Sequence, residues 1–488
     1  MFHKKKSLLV MPVALALLIL WGCSGGAGGG GSLTAGGGIG GSGVTVGSVS
    51  KFGSVFVNDV EYGTTDAVVV VDGVEKGSGD QTVLDNLSVG KLVRIEGPSA
   101  ADGTGTAQRI VYNEDVIGPV ESITTVDANT SKLVVMGQTV IADRQTNLVN
   151  TTLATIAVGN VVEVSGSGDD QGFIHAGYLK ERADVYTSGS EVQVRGSAAD
   201  VNTLLRTFKI NQLTVDYSTA DVSQLTNGAP QTGQFLEVKG ILNAGGTLVA
   251  TLVKPEDILG VATADNVEIS GIVTLFNSIT DFEVGGIAVL TDGATEFNDI
   301  LPEDIDVGSK LIVSGSLTNR VLLADTVRST AQVKIESNVL SVGSSSLTLD
   351  GLTLLTVNVN DLTKILGAAD TIVEIFPGDH VKIFGTSFSS GNATASKIIV
   401  KKQSKDTVVL RGPVEAVSGD LITVLGVTID TGSTSSIPDN GFSLESGGPL
   451  TRAEFQSRVS VGDSFDAKGT LLVDSTVNWQ SIALGESK

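Results

Sequence analysis

The chain has 488 residues, of which 60 are glycine, 54 are Asp or Glu and 32 are Lys or Arg, for a formal net charge of −22. So acidic a chain, with 5% aromatic residues, repels nucleic acid and lacks the basic groove with stacking rings that single strands require. Abundant glycine and short apolar alternations exclude one large helical or α/β enzyme and point to many short strands with tight connections.

Residues Met1 to Cys23 fall into three parts: a basic start (Lys4, Lys5, Lys6), an apolar run from Leu8 to Leu20, and Leu20-Trp21-Gly22-Cys23. This is the pattern of a secretory signal. The run holds Pro12 and falls short of the roughly 20 apolar residues that a spanning helix needs. The tetrapeptide resembles the bacterial lipobox, in which a peptidase cuts before the cysteine and the thiol carries diacylglycerol. The resemblance implies loss of residues 1–22 and a lipid on Cys23, the only cysteine in the chain. Ser24 follows where an aspartate would hold some lipoproteins at the inner membrane, which implies sorting to the outer membrane, on its periplasmic or its exposed side. With Cys23 acylated, no thiol remains for disulfides, c-type haem, iron–sulfur or zinc–cysteine sites. Residues 23–44 are almost entirely Gly, Ser, Ala and Thr, which cannot bury enough surface to fold and form a flexible tether.

Beyond the tether, one pattern recurs six times: a pair of glycines separated by six residues, at Gly90/Gly97, Gly159/Gly166, Gly233/Gly240, Gly308/Gly315, Gly378/Gly385 and Gly462/Gly469. The third and fifth residues after the first glycine are apolar in every copy, from Val93 and Ile95 to Phe465 and Ala467. The residue between them is polar in five (Arg94, Glu163, Glu237, Lys382, Asp466) and is Ile312 in the fourth, the alternation of a half-buried strand. A turn-like stretch follows and then a second strand, which makes a hairpin. That strand carries a small residue and, three positions on, an apolar one: Ala107/Ile110, Ala176/Leu179, Ala250/Val253, Ala324/Val327, Ala395/Ile398 and Ser481/Leu484. Each copy opens on a strand with a glycine (Gly47, Gly118, Gly196, Gly271, Gly412), absent from the fifth.

These features predict an all-β chain of six units at residues 45–114, 115–186, 187–257, 264–330, 331–403 and 404–488. A unit of about 70 residues is too short for an immunoglobulin sandwich and suits a small closed barrel. Short helices are expected before the glycine pair at Asn360 to Ala369 and Leu450 to Arg458, and only a turn at Leu301 to Asp304. Such small units are marginal alone, so neighbours in the chain should lend one another contacts in an elongated array. The Val-Gly-x-x-Val-x-Val-x-Gly strand and the later Ala-x-x-Ile strand resemble an uncharacterised domain family found in tandem in exported bacterial lipoproteins. That resemblance implies small OB-like barrels and no particular activity.

Residues for chemistry are sparse. His175 and His380 have no second histidine, cysteine or serine elbow nearby in sequence, so neither is expected to be catalytic. Asp127-x-Asn129-x-Ser131 imitates the start of a calcium loop, but Lys132 stands where glycine is needed and Gln138 where the glutamate belongs. Turn chemistry explains this stretch and Asp169-Asp170 alike. Glu303, Asp304 and Asp306 cluster without a partner pair. Lys397, Lys401, Lys402 and Lys405 read as a solvated linker face. No catalytic residue, metal ligand or cofactor is expected, and no nucleic-acid partner. The expected role is a lipid-anchored, non-enzymatic envelope scaffold or protein-binding array, attached to the outer membrane through Cys23. Binding of envelope polysaccharide is the alternative; it requires Trp479, Tyr112, Tyr178 and Tyr217 to face outward as platforms.

Overall fold

The computed structural model describes residues 43–100, 102–389, 391–445 and 448–485. Cys23, the signal and nearly all of the tether lie outside the described residues. Among the described residues the chain is strand almost throughout, with α-helix only at Asp80–Asn86 and Arg452–Arg458.

Unit 2 shows how each barrel is built. The long opening strand Val116–Asp127 pairs with Thr130–Val135, which pairs with Gln138–Ala142. That third strand runs parallel to the last, Ile174–Ala183. The last strand forms a hairpin with the glycine-pair strand Val161–Gly168, which returns to the opening strand and closes the ring. Units 3, 4 and 5 close through the same five pairings in the same order. A further short strand, such as Asn147–Val149 or Lys364–Gly367, lies parallel to the last strand.

The glycine pair is explained by two separate constraints. The first glycine has φ of 88, 94, 82, 79, 90 and 98° in the six units, the left-handed region that a side chain resists. There the chain turns into its strand, and the glycine N–H donates to the opening strand, as from Gly159 to the Val120 carbonyl at 2.8 Å and from Gly378 to Val339 at 2.8 Å. The second glycine sits at a bulge under the hairpin. A Cβ there would lie 2.2 Å from the His175 carbonyl oxygen at Gly166 and 2.1 Å from that of Thr394 at Gly385. Where the fifth unit lacks its opening glycine, Ser337 stands opposite Val381 and its hydroxyl donates to the Asp350 carbonyl at 2.7 Å.

Three expectations are corrected here. Asn360 to Ala369 forms the strand Lys364–Gly367 rather than a helix, and the one helical turn before that glycine pair is a 3-10 turn at Ile372–Glu374. Unit 1 carries the unexpected helix Asp80–Asn86, while Arg452–Arg458 forms as expected, opened by a Thr451 and Glu454 capping box. In unit 6 the residue opposite Gly469 is Trp479, with Ile482 three positions on, so Ser481/Leu484 was two residues out of register. This unit also departs from ring closure: its third strand, Val427–Asp430, pairs only with Leu421–Val424.

Barrels join edge to edge in twos. Units 2 and 3 meet at Val116↔Val194 and units 5 and 6 at Ile335↔Leu410, both antiparallel. Unit 1, however, joins unit 4: Val44, Thr45 and Val46 run parallel to Val267, Glu268 and Ile269. Contacts between units therefore run beyond chain neighbours, within an all-β chain of six tandem repeats. Cores follow the sheets: units 5 and 6 share one, units 2 and 3 another, and Val44 and Val46 enter the core of unit 4. Sharing relieves the small-domain problem, since a joint core buries apolar surface that one 70-residue barrel would leave wet.

Candidate functional site

The apolar residues of the glycine-pair strands are buried as the alternation requires: Val93, Ile95, Val162, Val164, Leu236 and Val238 are all at or below 1% exposure. The alternate face is not wet either. Glu163, Glu237 and Lys382 are buried, because the outer face of one barrel packs on another unit. Charge removed from water must be paired there.

At the meeting of units 1 and 2, Glu163 accepts from Lys91 at 3.0 Å, from Arg182 at 2.8 Å and from the Tyr112 hydroxyl at 2.8 Å. Lys91 lies 4.0 Å from the ring centre of Tyr112 and 4.8 Å from that of Tyr178, an aromatic seat for a buried ammonium. Burial opposes the Glu163 charge, but Lys91 and Arg182 outweigh it and hold the carboxyl below its usual range. Glu114 behaves oppositely. Burial, then hydrogen bonding to Asp72 and the Asp72 and Glu163 charges, push it up to about 8. Arg182 lies 3.1 Å from Glu114, but the same guanidinium is shared with Glu163, so burial prevails.

Between units 4 and 5, Asp304 is fully buried and accepts from Lys382 at 2.8 Å. Lys397 donates to the Asp304 carbonyl at 2.7 Å and to the Ser309 hydroxyl at 2.6 Å. Its burial brings the ammonium down to about 8, against the pull of Asp304 and Asp306. Lys397 is thus no part of a solvated face. Lys402 and Lys405 are exposed, and Lys402 bonds Asp379 at 2.7 Å. Further clamps join unit 2 to unit 5, where Asn360 donates to Asp127 at 2.9 Å and Lys364 meets Asp170, and unit 1 to unit 4, where Arg328 bonds Asp59 at 2.8 Å.

The histidines are similarly engaged. His380 is fully buried between Glu336 at 2.8 Å and Asn338 at 3.0 Å, and His175 meets Asp169 at 2.9 Å. Asp127 also accepts the Asn129 N–H at 2.8 Å, a turn rather than a cation loop. No group of three or more His, Cys, Asp or Glu able to hold a metal occurs among the described residues. Trp479, Tyr112, Tyr178 and Tyr217 are all buried, at 9%, 0%, 2% and 1%, so none offers a face to a sugar.

One feature escaped the sequence entirely. Where units 1 to 4 converge lies a cavity of about 580 Å³. Its wall combines Val46, Leu92, Val111, Ile174, Leu259, Ile287 and Phe235 with three arginines, Arg94, Arg195 and Arg320, and five carboxylates, Asp115, Asp169, Glu256, Asp257 and Glu283. Each arginine is held by a carboxylate: Arg94 by Glu96 at 3.0 Å, Arg195 by Asp115 at 3.2 Å and Glu256 at 3.3 Å, Arg320 by Asp257 at 2.8 Å. Burial pushes the Asp115 carboxyl up, though Arg195 and the Gly166 N–H counter it. No short motif signals this cavity, because its residues are gathered by the pairing of unit 1 with unit 4.

Residues 45–111, 117–180, 195–254, 270–328, 336–399 and 411–477 each match the family described as Domain of unknown function (DUF5666), and together they make up well over half of the chain. The chain therefore belongs to that family, in six tandem copies. No curated protein matches it.

Proposed function

We propose that this six-copy member of the family is a lipid-anchored, non-enzymatic scaffold or protein-binding array of the cell envelope, attached to the outer membrane through Cys23. The observation that carries the anchor is the apolar run from Leu8 to Leu20 ending on the only cysteine of the chain. What supports a scaffold is where the ionisable side chains are spent. Glu163, Asp304, Lys382, Lys397 and His380 brace strands or units against one another and are withdrawn from solvent. A catalytic acid or base must instead reach a substrate.

The ring order of units 2 to 5, with the third strand parallel to the last, supports the OB-like reading of the barrels. It carries no activity with it. Burial of the four candidate platform aromatics leaves the polysaccharide alternative without its supporting feature.

The test is metabolic labelling with palmitate in cells making the full chain or Cys23→Ala, followed by in-cell crosslinking and identification of recovered protein and glycan. Label lost in the variant, with a defined protein partner recovered, is the expected result. Turnover of an envelope substrate by the purified chain would overturn the non-enzymatic reading, and recovery of polysaccharide alone would overturn the protein-binding one.

A further inference from the structure

We propose that unit 1 is a pH-released module, docked on units 2, 3 and 4 in acid and let go as pH rises, through buried carboxyl groups that its seams leave without a counter-charge of their own. This goes beyond the scaffold reading and does not depend on it. The division of the cores marks unit 1 as separable. Units 2 and 3 share one core and units 5 and 6 another, whereas Val49, Val57, Tyr62, Ile95, Ile110 and Tyr112 belong to a core of unit 1 alone. Among the described residues its apolar reach into a neighbouring core is Val44, Val46 and the half-buried Leu92, all in that of unit 4. Unit 1 can therefore leave its neighbours without opening its own core.

The seams are mostly polar, and two carboxyls in them depart from the pairing seen elsewhere. Glu114, on the link to unit 2, is buried, and no N–H or O–H reaches its Oε2. It faces the Asp72 carboxyl of unit 1, which is fixed by the Glu114 N–H at 3.2 Å and by the side chain of Gln193 in unit 3 at 3.1 Å. Tyr112, Tyr178, Glu163 and Arg182 also surround Glu114, and Lys239 of unit 3 lies 4.0 Å from Asp72. Arg182 is shared with Glu163 and Lys239 stands by Asp72, so a charge on Glu114 is poorly repaid. The adjacent Asp115, by contrast, has Arg195 at 3.2 Å and the Gly166 N–H at 2.8 Å.

At the other seam Glu268 of unit 4 stands opposite Thr45, and its Oε1 is likewise buried without a donor. Asn58, Asp59 and Tyr62 of unit 1 and Arg328 of unit 4 face it. Burial pushes this carboxyl up, against the pull of Arg328 and Asn58. Each group is thus neutral while docked and free to ionise once unit 1 lifts away. For Glu114, at about 8 in the docked state against 4.5 in water, docking is fully present below about pH 4.5. It weakens about tenfold for each pH step from there to 8.

The experiment follows amide hydrogen exchange of the full chain from pH 6 to 8, corrected for the intrinsic pH dependence of exchange. Two peptides report the seams: one carrying Leu92, whose N–H donates to Ser165 of unit 2 at 2.9 Å, and one carrying Val267–Ile269, paired with Val44–Val46. Val333–Val342 of unit 5 is the reference. Protection at both seams should fall about tenfold per pH step while the reference holds. Glu114→Gln with Glu268→Gln should flatten that fall. Where this double variant does not fold, Asp72→Asn decides instead: it removes the facing charge and should make the fall shallower. An equal fall in all six units would make the effect global and overturn the release of unit 1. So would seam protection that does not change with pH, or a fall that the variants leave intact.

Discussion

Trp479 stands directly across the last hairpin from Gly469, in the position that Ala176, Ala250, Ala324 and Ala395 hold opposite Gly166, Gly240, Gly315 and Gly385. An indole there fills the core shared by units 5 and 6, in a unit whose third strand, Val427–Asp430, pairs only with its second. Trp479→Ala should destabilise this pair of units by about 3 to 5 kcal/mol, the usual cost of deleting a large buried ring. Urea unfolding of the variant against the parent checks it; a change below about 1 kcal/mol would show that the indole is no structural wedge.

The two glycines of a pair should respond differently to alanine. At Gly378 the φ is 90° and a Cβ meets nothing, so Gly378→Ala should cost only backbone strain, about 1 to 2 kcal/mol. At Gly385 a Cβ would fall 2.1 Å from the Thr394 carbonyl oxygen, so Gly385→Ala must separate the hairpin and should cost more. Amide hydrogen exchange across His380–Ser389 ranks the two, and the reverse order would contradict the close approach.

Asp304→Asn should be among the most damaging single changes. It leaves the Lys382 ammonium buried without its counter-charge, a loss of about 3 to 5 kcal/mol. The double variant Asp304→Leu with Lys382→Met should recover much of that, which a denaturant titration of both would reveal.

Glu114 gives the stability a pH dependence. Its folded-state carboxyl titrates at about 8, above the usual 4.5, so between those values the folded chain keeps a proton that the unfolded chain has lost. Stability is therefore fully present below about pH 4.5 and falls as pH rises toward 8, by on the order of 5 kcal/mol, at about 1.4 kcal/mol for each pH step between those values. Glu114→Gln should flatten this decline and be the more stable protein at pH 8. Unfolding midpoints across pH 5 to 8 that fall equally in both would assign the dependence to another group.

What the sequence made legible is what local backbone geometry dictates. A left-handed turn and a backbone contact each demand glycine, so the pairs from Gly90/Gly97 to Gly462/Gly469 mark every barrel. The apolar positions two apart told which face is inner. Alternation cannot say what covers the outer face, and so Glu163 and Lys382 looked solvated although other units bury them. Lys397 misled in the same way: its neighbours Lys402 and Lys405 are exposed, but its own partners, Asp304 and Ser309, lie in the preceding unit. The slip at Ser481 had another cause. Ser481 has the small side chain of the pattern, but the bulge between Lys468 and Gly469 places Trp479, not Ser481, opposite the glycine. The cavity was out of reach because its walls come from four units whose arrangement no local spacing encodes.

The parallel pairing of Val44–Val46 with Val267–Ile269 also sets an order of events during synthesis. The opening strand emerges first, and its partner follows roughly 220 residues later, so this closure carries a long loop and is slow beside the hairpins. Until then the first strand presents an unpaired edge to whatever else is in the compartment. A chain that stalls or is cut before its fourth unit would keep that edge exposed, which makes the early chain the form most dependent on a holding chaperone.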